Sequence, residues 1–201
     1  MAGSSSRIFQ FKIILKNTKP PVWRRIQVPG DYTFWDLHVA IQDSMGWTDT
    51  HLHVFEIFNF RKRYIERIGI ADEEFPSGRE TLLGWEVPIA RLFTSTNPKA
   101  EYAYDFGDGW EHTILLEKTL PRDEQIHSPR CIAGRRRCPP EDCGGPWGYE
   151  EFLKAISDPE HEEHASMLEW IGGSFDPDDF KPKEVTFGDP KKRLKYALQD
   201  H

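Results

Sequence analysis

Residues 7 to 60 change hydrophobic period twice, and that order constrains the fold more than any other feature of the chain. Phe9, Phe11, Ile13 and Leu15 alternate with Gln10, Lys12 and Lys16, the period-2 pattern of a half-buried strand. Lys19-Pro20-Pro21 turns the chain, and Val22 to Val28 reads as a second strand with Val22, Ile26 and Val28 inward, closed by Pro29-Gly30-Asp31. Thr33 followed by Asp36 has the form of a capping box, so a helix is predicted next, with Phe34, Leu37, Ile41 and Met45 on one stripe and Gly46 as its stop. Alternation returns from His51 to Phe60. Strand, strand, helix, strand is an α+β unit whose helix covers one sheet face. The expected fold is α+β, a mixed or antiparallel sheet begun by this unit and completed by C-terminal helices.

Further along, a short strand is predicted at Tyr64 to Ile70, a polar loop over 72–80, and a segment dropping into the core at Val87 to Phe93. Glu101 to Phe106 and Trp110 to Lys118 read as two strands joined by Gly107-Asp108-Gly109, where Gly107 or Gly109 should adopt positive φ. Tyr102, Tyr104 and Phe106 are assigned to one face of that hairpin, and Trp110, His112, Ile114 and Leu116 to another. The run from Cys138 to Tyr149 has no regular period. A helix follows with Tyr149, Phe152, Leu153 and Ile156 on one side. A second opens at Pro159, carries His161, His164, Leu168 and Ile171, and stops at Gly172-Gly173; the tail ends in a short helix from Lys191 to Leu198. The domain reading is an α+β domain over 7–157 with a helical extension, 158–201, packed on it.

At 201 residues such a domain buries roughly 70% of its unfolded surface, and its 13 Phe, 7 Trp and 6 Tyr are enough to build a core. The net charge of -7 opposes unspecific binding to phosphate backbones, which rests on Lys and Arg releasing counterions. Positive clusters are local: Arg24-Arg25, Arg61-Lys62-Arg63, and Arg130 with Arg135-Arg136-Arg137. Met-Ala-Gly-Ser-Ser-Ser has no apolar signal core, and no apolar run approaches the roughly 20 residues that span a bilayer. The expectation is therefore a cytoplasmic protein without membrane contact, its three cysteines reduced.

All three cysteines lie in one stretch as Cys131-x6-Cys138-x4-Cys143. With a fourth ligand from His112, His127, or the His161 and His164 pair, they make a candidate zinc site, since zinc takes four soft or borderline ligands. The metal set carried forward is Cys131, Cys138, Cys143 and His112; the other reading is that the cysteines are small buried hydrophobes. His51 and His53, two apart on a predicted strand, should point the same way. Together with His38 and the hairpin carboxylates Asp105 and Asp108 they form a candidate catalytic set for general-base or metal-assisted chemistry. Against it stands the ordinary reading, strand-edge histidines and turn-capping aspartates. His161 and His164 are flanked by Glu160, Glu162 and Glu163, which fits an acidic surface helix.

With these residues in view, the chain resembles the plasmid pRiA4b ORF-3-like family. The resemblance rests on Pro21-Val22-Trp23-Arg24-Arg25, Leu37-His38, Met45-Gly46-Trp47, His51-Leu52-His53-x-Phe55, Tyr104-Asp105-Phe106-Gly107-Asp108-x-Trp110-x-His112 and the Cys138 to Tyr149 run. It implies an α+β domain found on plasmids, in mobile elements and in chromosomes, and it supplies no reaction. Two functional readings follow. The first is a binding module for a protein or nucleic-acid partner, with the aromatic hairpin and the cysteine loop as its surface. The second is a metal-dependent hydrolase or nuclease built on His51, His53 and the Asp105 and Asp108 region, with His38 nearby. No nucleophile, phosphate loop or cofactor fingerprint accompanies the histidines, which favours the first.

Overall fold

A computed structural model of the chain describes residues 7–70, 80–121 and 128–199; most of the loop predicted at 72–80, and His127, lie outside them. Strands β1 (Arg7–Leu15) and β2 (Trp23–Pro29) form the predicted hairpin, with Phe11 opposite Ile26. Helix α1 (Phe34–Met45) starts on a full capping box: Thr33 accepts from the Asp36 amide and Asp36 accepts from the Thr33 amide. It stops at Gly46, left-handed at φ 90°. Strands β3 (His53–Asn59), β4 (Tyr64–Gly69), β5 (Thr81–Leu83), β6 (Lys99–Tyr104), β7 (Trp110–Pro121) and β8 (Arg130–Arg135) follow. Helices α2 (Gly145–Ser157), α3 (His164–Trp170) and α4 (Pro190–Ala197) end the chain.

The eight strands make one sheet in the order β5-β4-β3-β6-β7-β1-β2-β8. Every neighbouring pair is antiparallel except β4 and β5. This is an α+β architecture with a mixed sheet and C-terminal helices. One sheet face is apolar and takes α1: Phe34 packs on Phe55 and Phe93, and Phe93 on Phe11, at ring separations of 5.2, 5.8 and 4.8 Å. Val87, Ile89, Leu92 and Phe93 drop into this core as predicted. Much of the opposite face is a ladder of cross-strand polar pairs, among them Arg25 to Glu117, Gln27 to Gln10 and Arg67 to Glu56.

Four local readings need correcting. His51 precedes β3, because the chain bends through Asp49 at φ 63°; alternation holds only inside a strand, so His51 and His53 diverge. In the hairpin, Tyr104 lies opposite Trp110 and Tyr102 opposite His112, so both sets share one face, the core face. Phe106 leaves it and is 50% exposed, since Asp105 at φ 54° ends the alternation. Cys131 sits on a strand, β8, and Gly145 to Tyr149 is already helix. The helix predicted from Pro159 begins at His164, leaving His161 in the turn before it.

Of the two hairpin glycines, Gly109 carries the positive φ, 69°, with open space where a Cβ would stand. Gly109→Val should lower stability by roughly 1 kcal/mol or more through backbone strain alone. Gly107→Val, at negative φ, should cost clearly less. Paired urea melts check this; equal midpoints for the two variants would refute it.

Candidate functional site

Three loops converge at one end of the sheet: the α1–β3 connection (46–52), the β6–β7 hairpin tip (105–109) and the segment from Cys138 into α2. Their joints are specific. Trp47 Nε1 donates to Pro139 O at 3.0 Å while its ring stacks on Tyr104. Tyr104 OH donates to Glu141 Oε1 at 2.6 Å, and Glu141 Oε2 accepts from the Thr48 amide at 2.9 Å and from the Thr48 hydroxyl. The Gly144 amide donates to Asp108 Oδ2 at 3.2 Å. A Cβ on Gly145 would stand 2.1 Å from Asp108 O, so only glycine permits α2 to meet the hairpin there.

The candidate catalytic residues divide between two places. His38 of α1 and His53 of β3 are buried between helix and sheet, their rings stacked at 3.5 Å and 7°. The neighbours set the tautomer of His38. Its Nε2–H donates to Asp49 Oδ1 at 2.6 Å, its Nδ1 accepts from Tyr102 OH at 2.8 Å, and the Tyr102 oxygen accepts from Gln42 Nε2 at 2.9 Å. Arg193 of α4 reaches in from outside, bonding Asp43 at 2.7 Å with Asp49 3.6 Å away. Burial holds both imidazoles well below the ordinary histidine range and raises Asp49 to about 6. His53 Nε2 has no hydrogen-bond partner among the described residues. This cluster lacks solvent access and serves the core.

His51, Asp105 and Asp142 form the other place. His51 Nε2 lies 3.7 Å from Asp105 Oδ2 and 3.3 Å from Asp142 Oδ1. Asp108, predicted to join them, is engaged by Gly144. Asp142 escaped the sequence reading because nothing local distinguishes it; its positive φ of 58° is visible only in three dimensions.

The proposed zinc ligands do not gather. Among the described residues, the one group of three or more His, Cys, Asp and Glu side chains with ligand atoms mutually within 4.8 Å is His51, Asp105 and Asp142. Cys131, on β8, directs its thiol at Ala133 O. Cys138 lies in the core, with Cys131 and Cys143 packed against it, and burial pushes the Cys138 and Cys143 thiols up to about 12. His112 is buried between Tyr102 and Trp47 and its Nδ1–H donates to Tyr102 O. His164 bonds Ala155 O through Nδ1.

Two further residues mattered more than the sequence suggested. Arg24, read as part of a surface charge cluster, is buried beneath Phe180. Trp147, in contrast, is 82% exposed. It lies on the rim of a groove of about 830 Å³ between the hairpin tip and α2, which Asp108, Glu111, Tyr149, Glu150 and Leu153 also line.

Two known proteins are similar to most of this chain. Uncharacterized protein y4hQ of Sinorhizobium fredii is 40% identical over 168 residues, covering 83% of this chain and 82% of that protein. A crystal structure of a protein of unknown function, MM3350 from Methanosarcina mazei Go1, superposes with a TM-score of 0.84 at 43% identity, covering 90% of this chain and 99% of the other. The family profile described as Plasmid pRiA4b ORF-3-like protein matches residues 7–184, from the first strand to the turn before α4. The chain belongs to the plasmid pRiA4b ORF-3-like family.

Proposed function

We propose that this protein is a binding module whose partner is a protein segment carrying basic and apolar side chains, docked in the groove between the hairpin tip and α2. The observation behind it is Trp147, a large aromatic 82% exposed in the first turn of α2 beside that groove. Large aromatics buried on binding dominate interface energetics, and a segment laid in the groove would cover Trp147. Asp108, Glu111 and Glu150 line the groove beside Lys19; Glu111 is shared with Lys16 at 3.3 Å and Glu150 with Lys154 at 3.2 Å, weak surface pairs that a Lys- or Arg-bearing segment would take over, while the carboxylates disfavour a phosphate backbone. Among the described residues no helix is long and apolar enough to cross a membrane, and the partner is sought in the cytoplasm.

Selection of displayed random peptides on the purified protein tests the reading. Enriched sequences should combine Lys or Arg with an apolar anchor and bind more weakly as salt rises. Trp147→Ala should reduce their affinity by about tenfold or more with no change in circular dichroism. Peptides that bind wild type and Trp147→Ala equally would overturn it. The alternative, a metal-dependent hydrolase or nuclease, keeps only His51 and Asp105 of its predicted residues, joined by Asp142, because His53 is closed off in the core.

A further inference from the structure

We propose that His51, Asp105 and Asp142 bind one divalent first-row transition cation of the zinc or manganese type. The proposal is independent of what occupies the groove. Spacing is its first support. Ligand atoms about 2.1 Å from a shared metal lie about 3.4 Å apart in a tetrahedron and about 3.0 Å apart in an octahedron. The imidazole nitrogen stands 3.3 Å from one carboxylate oxygen and 3.7 Å from the other. All three ligand atoms lie within 4.8 Å of one another, so coordination requires the two carboxylates to close on a shared ion.

The second support is that His51 Nε2 is unpaired. The atom is shielded from solvent and makes no hydrogen bond among the described residues, although two carboxylate oxygens face it. A lone pair aimed at two anionic oxygens is repulsive unless a cation stands between them. Either a proton or a metal ion meets that need. The 3.3 Å contact to Asp142 lacks hydrogen-bond geometry, which favours the larger ion.

Third, Asp105 is held ready. More than nine-tenths buried, it spends Oδ1 on the amides of Gly107 and Asp108, at 3.0 and 3.2 Å. Oδ2 is thereby turned toward His51, as supporting hydrogen bonds orient a ligating carboxylate. One imidazole with two carboxylates suits Zn²⁺ or Mn²⁺ better than a soft monovalent ion, and three protein ligands leave positions for water. The ion would join the three loops that converge at this end of the sheet.

Cobalt(II) is a usable probe because it reports its ligands by absorption. Tag-free protein, stripped with chelator and dialysed, is titrated with Co²⁺ and bound metal is counted. One Co²⁺ per chain is expected, with ligand-field bands but no thiolate-to-cobalt charge transfer. Asp142→Asn and His51→Asn should each weaken uptake by about tenfold or more. Both should keep the wild-type melting temperature in chelator, since the Asp142 side chain is 74% exposed and asparagine tolerates its positive φ. Absence of stoichiometric uptake, thiolate charge-transfer bands, or uptake unchanged in both variants would each overturn the proposal.

Discussion

Acidification below pH 6.5 is expected to destabilise this protein steeply, and His38, His53 and His112 are the cause. Burial holds His38 and His53 well below the ordinary range and takes His112 down to about 3. Unfolded, each imidazole takes up a proton near 6.5; folded, it does so only at much lower pH. The unfolded state therefore binds more protons in that window, and stability falls as pH falls, by about 1.4 kcal/mol per pH unit for each site. Asp49 acts in the opposite direction. Its carboxyl protonates at about 6 in the folded state against 3.8 unfolded, so between those values it returns the same slope for one site. The net of two protons predicts a loss of about 2.7 kcal/mol per pH unit just below pH 6. Urea midpoints measured from pH 7 to 5 check it. Replacing His112 by Leu should flatten the curve by one site, and an identical slope in that variant would refute the assignment.

Loss of Arg24 is the second large effect. Its guanidinium lies inside the protein with no carboxylate partner among the described residues and donates to three carbonyl oxygens: Ser44 at 2.7 Å, Trp23 at 2.9 Å and Arg135 at 3.2 Å. Ser44 O belongs to the last turn of α1, where the helix dipole is negative and favours a cation. Phe180 covers the charge 3.6 Å away and packs on Gly134, where any Cβ would collide with its ring. Arg24→Ala removes all of these contacts and leaves buried carbonyls unpaired and a cavity, a cost of about 3–5 kcal/mol. Arg24→Lys should recover little, because one ammonium cannot span three carbonyls held by a planar fork. A midpoint shift worth less than about 1 kcal/mol in Arg24→Ala would show that other groups bear this junction.

The parts of the fold written in local chemistry were readable beforehand. Thr33 with Asp36 announced α1, Gly46 ended it, and alternation in β1 marked its buried side; in the β6–β7 hairpin the strands were readable but not that Tyr104 and Trp110 share one face. Arg24 shows the limit. In sequence it is one of two adjacent arginines, and only the return of β8 alongside β2 and the descent of Phe180 make it interior. The site behaves likewise. Proximity of His51 to Asp105 was anticipated from residue type, but Asp142 arrives from 37 positions away along the chain, brought by Glu141 bonding Tyr104 and Thr48. His53 misled because a period-2 rule was extended across a bend. The cysteines misled because a thiol in a core and a thiol on a metal have the same one-letter code.

The contact between Gly145 and the carbonyl of Asp108 has a consequence for how such chains can diverge. With no room for even one carbon atom, and with a Cβ on Gly148 blocked by Cys143 O at 1.9 Å, the hairpin tip and the α2 entry have locked dimensions. Insertions at either place should be tolerated only when matched by a deletion or insertion at the other, so descendants of this sequence should change the two loop lengths together or leave both alone.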